Sequence, residues 1–272
     1  MTVPQAPPRR RRRPFRPVEV VDTRRLGERF VSVLFAGIAG GALDGFEETL
    51  PAQHIKLLIP EPGERSVTVP ENGPDGPIWP ADRPQPARRT YTPRRFDPEA
   101  GTLEVQFLLH GDGPASAWAE HAAVGDRLGI AGPGGRPVPL DPGEARWIIA
   151  GDESAVPAIG TLLDALPASS VDAVYVEGSE AEVGDAISKG WPAISWLPAD
   201  EAAPGAALND VLSDPATVNG SRVWVACESL AVRGIRRALF DRDKVDASHL
   251  VTRGYWRSGE ANHPDHDYGE DD

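Results

Sequence analysis

Arg89-Thr90-Tyr91-Thr92, followed at once by Pro93, leaves a proline-rich stretch and reads as a β-strand. On a strand Arg89 and Tyr91 share one face and Thr90 takes the other, while Pro93 lets the last residue, Thr92, twist toward a ligand. An aromatic ring, a cation and a hydroxyl then converge in one short segment. A planar redox ring with a phosphate tail needs such a set: aromatic packing for the ring, guanidinium for the phosphate, and a hydroxyl near the reactive nitrogen.

Outward from this strand, residues 18–140 are β-rich. The runs VEVVDTRR, RFVSVLFAG, HIKLLIP, TLEVQFLLH and RLGIAG are separated by Gly and Pro clusters. Short strands of this kind need closure to protect their edges, which predicts a six-stranded antiparallel barrel. The stretch GPASAWAEHA is the exception and reads as a short helix with Pro114 at its start. A Gly113-Pro114 turn feeding a helix exposes unpaired N–H groups of Ala115 and its neighbours, and Ser116 adds a hydroxyl, so a diphosphate can sit at the positive end.

After Pro142 the rhythm becomes strand then helix: RWIIAG, SAVPAIGTLLDAL, VDAVYVE, AISWLPA, SRVWVACE, SLAVRGIRRALF and HLVTRGYW. That alternation predicts a parallel α/β sheet with crossovers. The expected division is a basic tail at 1–17, a barrel domain at 18–141, an α/β domain at 142–259 and an acidic tail at 260–272. The fold class is therefore two-domain α+β.

Composition narrows the function. The 272 residues suffice for two cores, and the charge of −13 disfavours nucleic acid, with Arg9 to Arg13 read as a solvated tail among prolines. No apolar run approaches a membrane span, so the expected location is the cytoplasm and no membrane contact is expected. Cys227 is the only cysteine, which excludes an intramolecular disulfide, a CxxC zinc site and a four-cysteine cluster. His54, His110, His121 and His249 lack helical His-x-x-x-His spacing with a carboxylate partner, and His263 and His266 fall in the tail. No metal ligand is expected.

The R-x-Y-[ST] strand, the small barrel and the α/β half together resemble the ferredoxin-reductase superfamily, which binds FAD or FMN. LLHGDGPASAWA, in which His110 precedes Gly113-Pro114-Ala115-Ser116 and Trp118, is similar to the flavin diphosphate segment of the siderophore-interacting proteins. HIKLLIP, GDRLGIAGPGG, GDESAVPAIGTLL and GYWRSG resemble blocks of that family in the same order, so the likeness spans residues 18 to 259. It implies FAD held by Arg89, Thr90, Tyr91, Thr92, His110, Gly113, Pro114, Ala115, Ser116 and Trp118. It also implies that Gly151, Asp152, Ser154 and Pro157 of GDESAVPAIG adjoin the nicotinamide.

The implied reaction moves electrons from NADH or NADPH through FAD to a ferric siderophore, releasing Fe(II), with no catalytic acid or base in the chain. Ferredoxin as donor stays open, and a monomer is the simpler expectation. Glu177 at the end of VDAVYVE, with Glu180 and Glu182 behind it, can accept from ribose hydroxyls and disfavour a 2′-phosphate, which favours NADH. Lys56 and Arg136 match basic residues that flank the family's substrate pocket, although GPGG departs from the GPRG form of some relatives. Arg233, Arg236, Arg237 and Lys244 read as a solvated face, and Cys227 as either a nicotinamide neighbour or a buried structural thiol. The rival readings are a flavin reductase or ferredoxin-type transferase with a non-iron acceptor, and a siderophore-binding protein without redox activity.

Overall fold

A computed structural model describes residues 14–38, 43, 46, 49–74, 76–111, 113–140, 145–187, 190–218, 220–243, 245–261 and 266–267. The run Arg9 to Arg13, together with Lys244 and His263, lies outside the described residues. The first half holds β1 (Arg16–Arg25), β2 (Phe30–Gly37), β3 (His54–Ile59), the hairpin of β4 (Glu71–Gly73) and β5 (Gly76–Ile78), and then β6 (Ala87–Tyr91) and β7 (Pro93–Asp97). It continues with β8 (Thr102–Leu108), α1 (Pro114–His121) and β9 (Arg127–Gly134).

Seven of these strands form one antiparallel sheet in the order β6-β3-β9-β1-β2-β8-β7. Alternate residues point to one core: Val18 and Val20, Val33 and Phe35, Ile55 and Leu57, Val105 and Phe107, Leu128 and Ile130. This corrects the expected six-stranded closed barrel. The sheet has seven strands, and among the described residues no ladder joins β6 to β7. The two outermost strands are nevertheless consecutive in the chain, joined through Thr92, so the sheet must bend until its edges nearly meet. The break falls there because Pro93 has no N–H with which to continue a ladder.

The second half holds β10 (Trp147–Asp152), α2 (Val156–Ala165), β11 (Val171–Glu177), α3 (Glu180–Val183), β12 (Ile194–Leu197), α4 (Ala206–Leu212) and α5 (Pro215–Val218). β13 (Arg222–Glu228), α6 (Ser229–Asp243), β14 (Leu250–Trp256) and β15 (His266–Asp267) complete it. The sheet order is β12-β11-β10-β13-β14-β15, parallel except for β15, a two-residue strand inside the stretch read as an acidic tail. Successive residues of β10 serve opposite layers. Trp147 and Ile149 pack with α2, whereas Ile148 and Ala150 pack with α4 and α6, as a parallel strand covered on both faces requires. The order reverses between β10 and β13, which places a crevice at the carboxyl ends of those two strands.

The halves are joined by specific bonds. Asp185 N–H donates to the Leu26 carbonyl (2.7 Å) and Ala52 N–H to Thr161 Oγ1 (2.9 Å). Arg94 of β7 meets Asp164 of α2 at 2.7 Å and lies over the Trp191 ring, whose Nε1 also donates to Asp164. The bent edge of the first sheet is thereby fixed beside the helix that leaves β10. Among the described residues no helix is long and apolar enough to cross a membrane.

Candidate functional site

The register of β3 against β6 pairs Ile55 with Tyr91, Lys56 with Thr90 and Leu57 with Arg89. Arg89 and Tyr91 therefore share the face of the buried Ile55 and Leu57, and Lys56 and Thr90 share the opposite one, where the Lys56 ammonium donates to the Thr90 hydroxyl. Lys56 is thus not brought onto the face of Arg89 and Tyr91. The Tyr91 ring packs on Phe107 at 4.5 Å, Phe107 on Trp118 at 5.5 Å, and Trp118 on Phe35 at 6.2 Å, a run of rings from the end of β6 to α1. Burial pushes the Tyr91 hydroxyl well above its ordinary pKa despite the nearby Arg89 charge, so it stays a neutral phenol. Arg89 is half-buried and donates to the Arg88 carbonyl at 3.0 Å.

Gly113 is the extended residue ahead of α1, and Pro114 occupies the first turn. The first bond of the helix runs from Ala117 N–H to the Gly113 carbonyl (2.9 Å), so the amides of Ala115 and Ser116 precede the ladder. The buried Ser116 accepts from His110 N–H at 2.9 Å, which folds the loop back on the helix start and leaves the hydroxyl proton to donate. Burial and the Arg29 charge hold the His110 imidazole below its ordinary pKa. Among the described residues, a methyl group built on Gly113 would meet nothing nearer than His110 Cε1, at 3.8 Å, so the helix mouth is open at that position. The buried Trp118 Nε1–H meets no acceptor among the described residues. An open cradle at a positive helix end, an orphaned donor and a run of rings suit a planar ring carrying a diphosphate, so the residues present fit FAD.

On the other side of the crevice Gly151 lies between Val176 of β11 and Ala226 of β13. Asp152 accepts from Ser154 N–H (2.9 Å), from the Ser154 hydroxyl and from Trp256 Nε1 (2.7 Å), and burial raises its carboxyl pKa. Glu153 turns onto Arg29 at 2.7 Å. Both acids therefore face donors of the protein itself, and Pro157 is buried at the start of α2.

Glu177 requires a correction. Its side chain is 4% exposed, and its two oxygens accept from Gly205 N–H (2.7 Å) and Leu208 N–H (3.3 Å) at the start of α4. A carboxylate engaged in this way caps a helix and does not stand ready for ribose hydroxyls, so the ground for favouring NADH over NADPH disappears. We expect Glu177→Gln to leave the ratio of kcat/KM for the two donors unchanged while lowering unfolding stability by about 1–2 kcal/mol. Steady-state kinetics with both donors and urea unfolding check this.

Glu228 likewise accepts from Leu230 N–H (2.6 Å) and Ala231 N–H (2.9 Å) at the start of α6. Cys227 is fully buried, and burial with the carboxylates of Asp152, Glu177 and Glu228 drives its pKa well up, as a structural thiol requires. Arg136 is exposed, and its carbonyl accepts from the buried Arg253 of β14 at 3.2 Å, which draws the GPGGR segment toward the second sheet. Arg233 and Arg237 are exposed on α6, and Arg236 covers Phe240. Among the described residues no histidine, cysteine or carboxylate cluster could hold a metal. Arg29, Trp256 and Arg253 escaped the sequence reading because their partners lie 80 or more positions away.

A bent antiparallel sheet with a helix mouth and a run of rings, beside the switch point of a parallel sheet, is an arrangement that suits a flavin on one side and a pyridine nucleotide on the other. The family model described as the siderophore-interacting FAD-binding domain matches residues 19–137, and that of the siderophore-interacting protein matches 144–259. The chain belongs to the siderophore-interacting protein family. It is 32% identical to the ferric vibriobactin reductase of Vibrio cholerae, over 84% of this chain and 85% of that one. It is 31% identical to the NADPH-dependent ferric-chelate reductase of Escherichia coli, over 90% and 93%. Among solved structures, a siderophore utilization protein from T. fusca matches with TM-score 0.76 and 31% identity, covering 92% of this chain and 95% of that one.

Proposed function

We propose that the protein is an FAD-dependent reductase of ferric siderophores that draws electrons from NADH or NADPH. The observation that carries this reading is the open helix mouth at Gly113–Ser116, joined through the Trp118–Phe107–Tyr91 rings to the end of β6. Bound FAD supplies the ability to take two electrons together and release them singly. The chain's own part is binding and orientation. The amides of Ala115 and Ser116, with Arg89, hold the diphosphate; Tyr91 and Thr92 set the ring, while Thr90 faces the other way and anchors Lys56; the side-chain-free Gly151 keeps the turn beside Ser154 and Pro157 thin enough for the nicotinamide.

Lys56 and Arg136 attract the oxygen-rich, anionic ferric complex, and Fe(II), with its lower charge, is released from hard oxygen donors more readily. No side chain needs to move a proton for this transfer. We place the protein in the cytoplasm as a monomer, with domains at 18–141 and 142–259, the first closing toward a barrel at Thr92. A reduced ferredoxin replacing the nicotinamide would be seen as turnover without it.

The visible spectrum of the purified protein, followed by ferrous-chelator turnover assays with NADH and NADPH, tests the proposal. Flavin bands and siderophore-dependent Fe(II) formation are expected. NAD(P)H oxidation without Fe(II) would point to another acceptor, and a colourless protein that takes up no FAD would point to a siderophore binder. Lys56→Ala is expected to raise the KM for ferric siderophore about tenfold, as loss of a charge-assisted contact predicts. The rate of flavin reduction by NAD(P)H should not change; equal losses in both half-reactions would remove Lys56 from the substrate site.

A further inference from the structure

Arg29 lies in the turn between β1 and β2, as the first residue of the run RFVSVLFAG and outside every predicted site segment, and two distant stretches converge on it. Its amide donates to the Glu182 carbonyl at 3.0 Å, and its carbonyl accepts from Leu109 N–H at 2.7 Å. Its guanidinium meets Glu153 at 2.7 Å, reaches Glu182 at 3.6 Å and donates to the Leu109 carbonyl at 3.4 Å. Leu109 leads through His110 to the mouth of α1, and Glu153 opens the turn after β10. One side chain thus ties the diphosphate-side loop to the nicotinamide-side turn.

The carboxylates here outnumber the cation. Glu153 is 6% exposed, its Oε1 meets no donor among the described residues, and the Glu182 carboxyl is drawn to the same Arg29 nitrogen as Glu153 Oε2. Glu182 in turn accepts from the Ser179 hydroxyl at 2.7 Å. A buried and a partly exposed carboxylate drawn to one guanidinium nitrogen repel when both are ionised, and a proton on Glu153 removes the conflict by making its carboxyl a donor to Glu182. Burial first, and then Glu182, push the Glu153 carboxyl up to about 7 against the pull of Arg29. The hydrogen bonds from Ser179 and Glu153 hold Glu182 below its ordinary value. The other titratable groups near the pair are Asp152, at the end of β10, and the His110 ring beside Arg29.

We propose that Glu153 holds a proton shared with Glu182, and that this pair, clamped by Arg29, positions the nicotinamide-side turn against the diphosphate-side loop. Loss of the proton loosens the clamp and weakens donor binding. All three are positioning residues, and the donor step rests on the reductase reading. The Glu153 carboxyl rises from 4.5 to about 7 on folding, so its contribution to stability is full below the lower value and is lost as pH climbs to the upper one.

Thermal unfolding of the flavin-free protein across about pH 5 to 8.5 tests the shared proton directly. Glu153→Gln, whose amide can donate to Glu182 at every pH, is expected to flatten the fall in Tm that the wild-type chain shows up to about pH 7. Glu182→Gln, a second variant, is expected to lessen the fall by removing the facing carboxylate, while the part set by burial remains.

In the FAD-loaded protein, stopped-flow reduction by NADH should show an apparent Kd that rises about threefold or more between about pH 6 and 8, with little change in limiting rate. In Glu153→Gln that Kd should stay level. Parallel Tm curves for the wild-type chain and both variants overturn the shared proton. Flattened Tm curves with identical Kd profiles overturn the link to the donor. A protein that takes up no FAD yet shows flattened Tm curves overturns the reductase reading while supporting the proton pair.

Discussion

Arg89→Ala is expected to cost about 2 kcal/mol or more of FAD affinity, roughly a thirtyfold rise in Kd. Arg89 stands half-buried in the middle of β6, the strand that pairs with β3, on the same face as Tyr91, and its guanidinium is engaged on the Arg88 carbonyl. Its remaining donors suit a diphosphate, and a charge-assisted contact in a partly desolvated groove is stronger than a neutral one. Titration of the flavin-free variant with FAD, followed by fluorescence quenching, measures the change. Unaltered flavin retention would take Arg89 out of the site.

Gly151→Ala should act on stability and on the donor side together. A methyl group there would stand 2.5 Å from Ala155 Cβ and 2.6 Å from the Ala226 carbonyl oxygen, neither of which is the end of a flexible chain. Relief requires β10 to move from β13 or the turn to open, so unfolding stability should fall by about 3 kcal/mol. Where the variant folds, its KM for NADH should rise while FAD stays bound, because the obstruction lies at the switch point and not at α1. An unshifted urea midpoint would show that the turn yields without cost.

The elements that carry the proposed site are legible in the sequence because each depends on near neighbours. The helix at Pro114 follows from a Gly-Pro start and an Ala-rich run, and β6 from its residue types and the proline after it. The parallel sheet was legible from the alternation of apolar runs, since both faces of β10 and β13 are buried. Barrel closure is not legible in the same way, because it depends on where a strand finds its partner. Residues 87 to 97 look like one extended run, yet they serve opposite edges of the sheet on either side of Thr92.

Glu177 shows the same limit at one residue. Its place at a strand end is local and was read correctly, but the amides it binds belong to a helix start 28 and 31 positions later. Nothing near Glu177 in the chain announces that its charge is already neutralised by a helix terminus. Arg29 is the converse case: an unremarkable arginine in a turn until folding brings Leu109, Glu153 and Glu182 around it.

The amino-acid sequence by itself determined the two kinds of sheet, the helix mouth and the ring-bearing strand, because periodicity, turn chemistry and helix starts act over a few residues. Only the tertiary structure decided which carboxylates face their own helix starts, which face of β3 Lys56 occupies, and how one guanidinium joins two distant loops. Those outcomes depend on contacts between residues far apart in the chain, whose strength burial sets and local pattern does not encode.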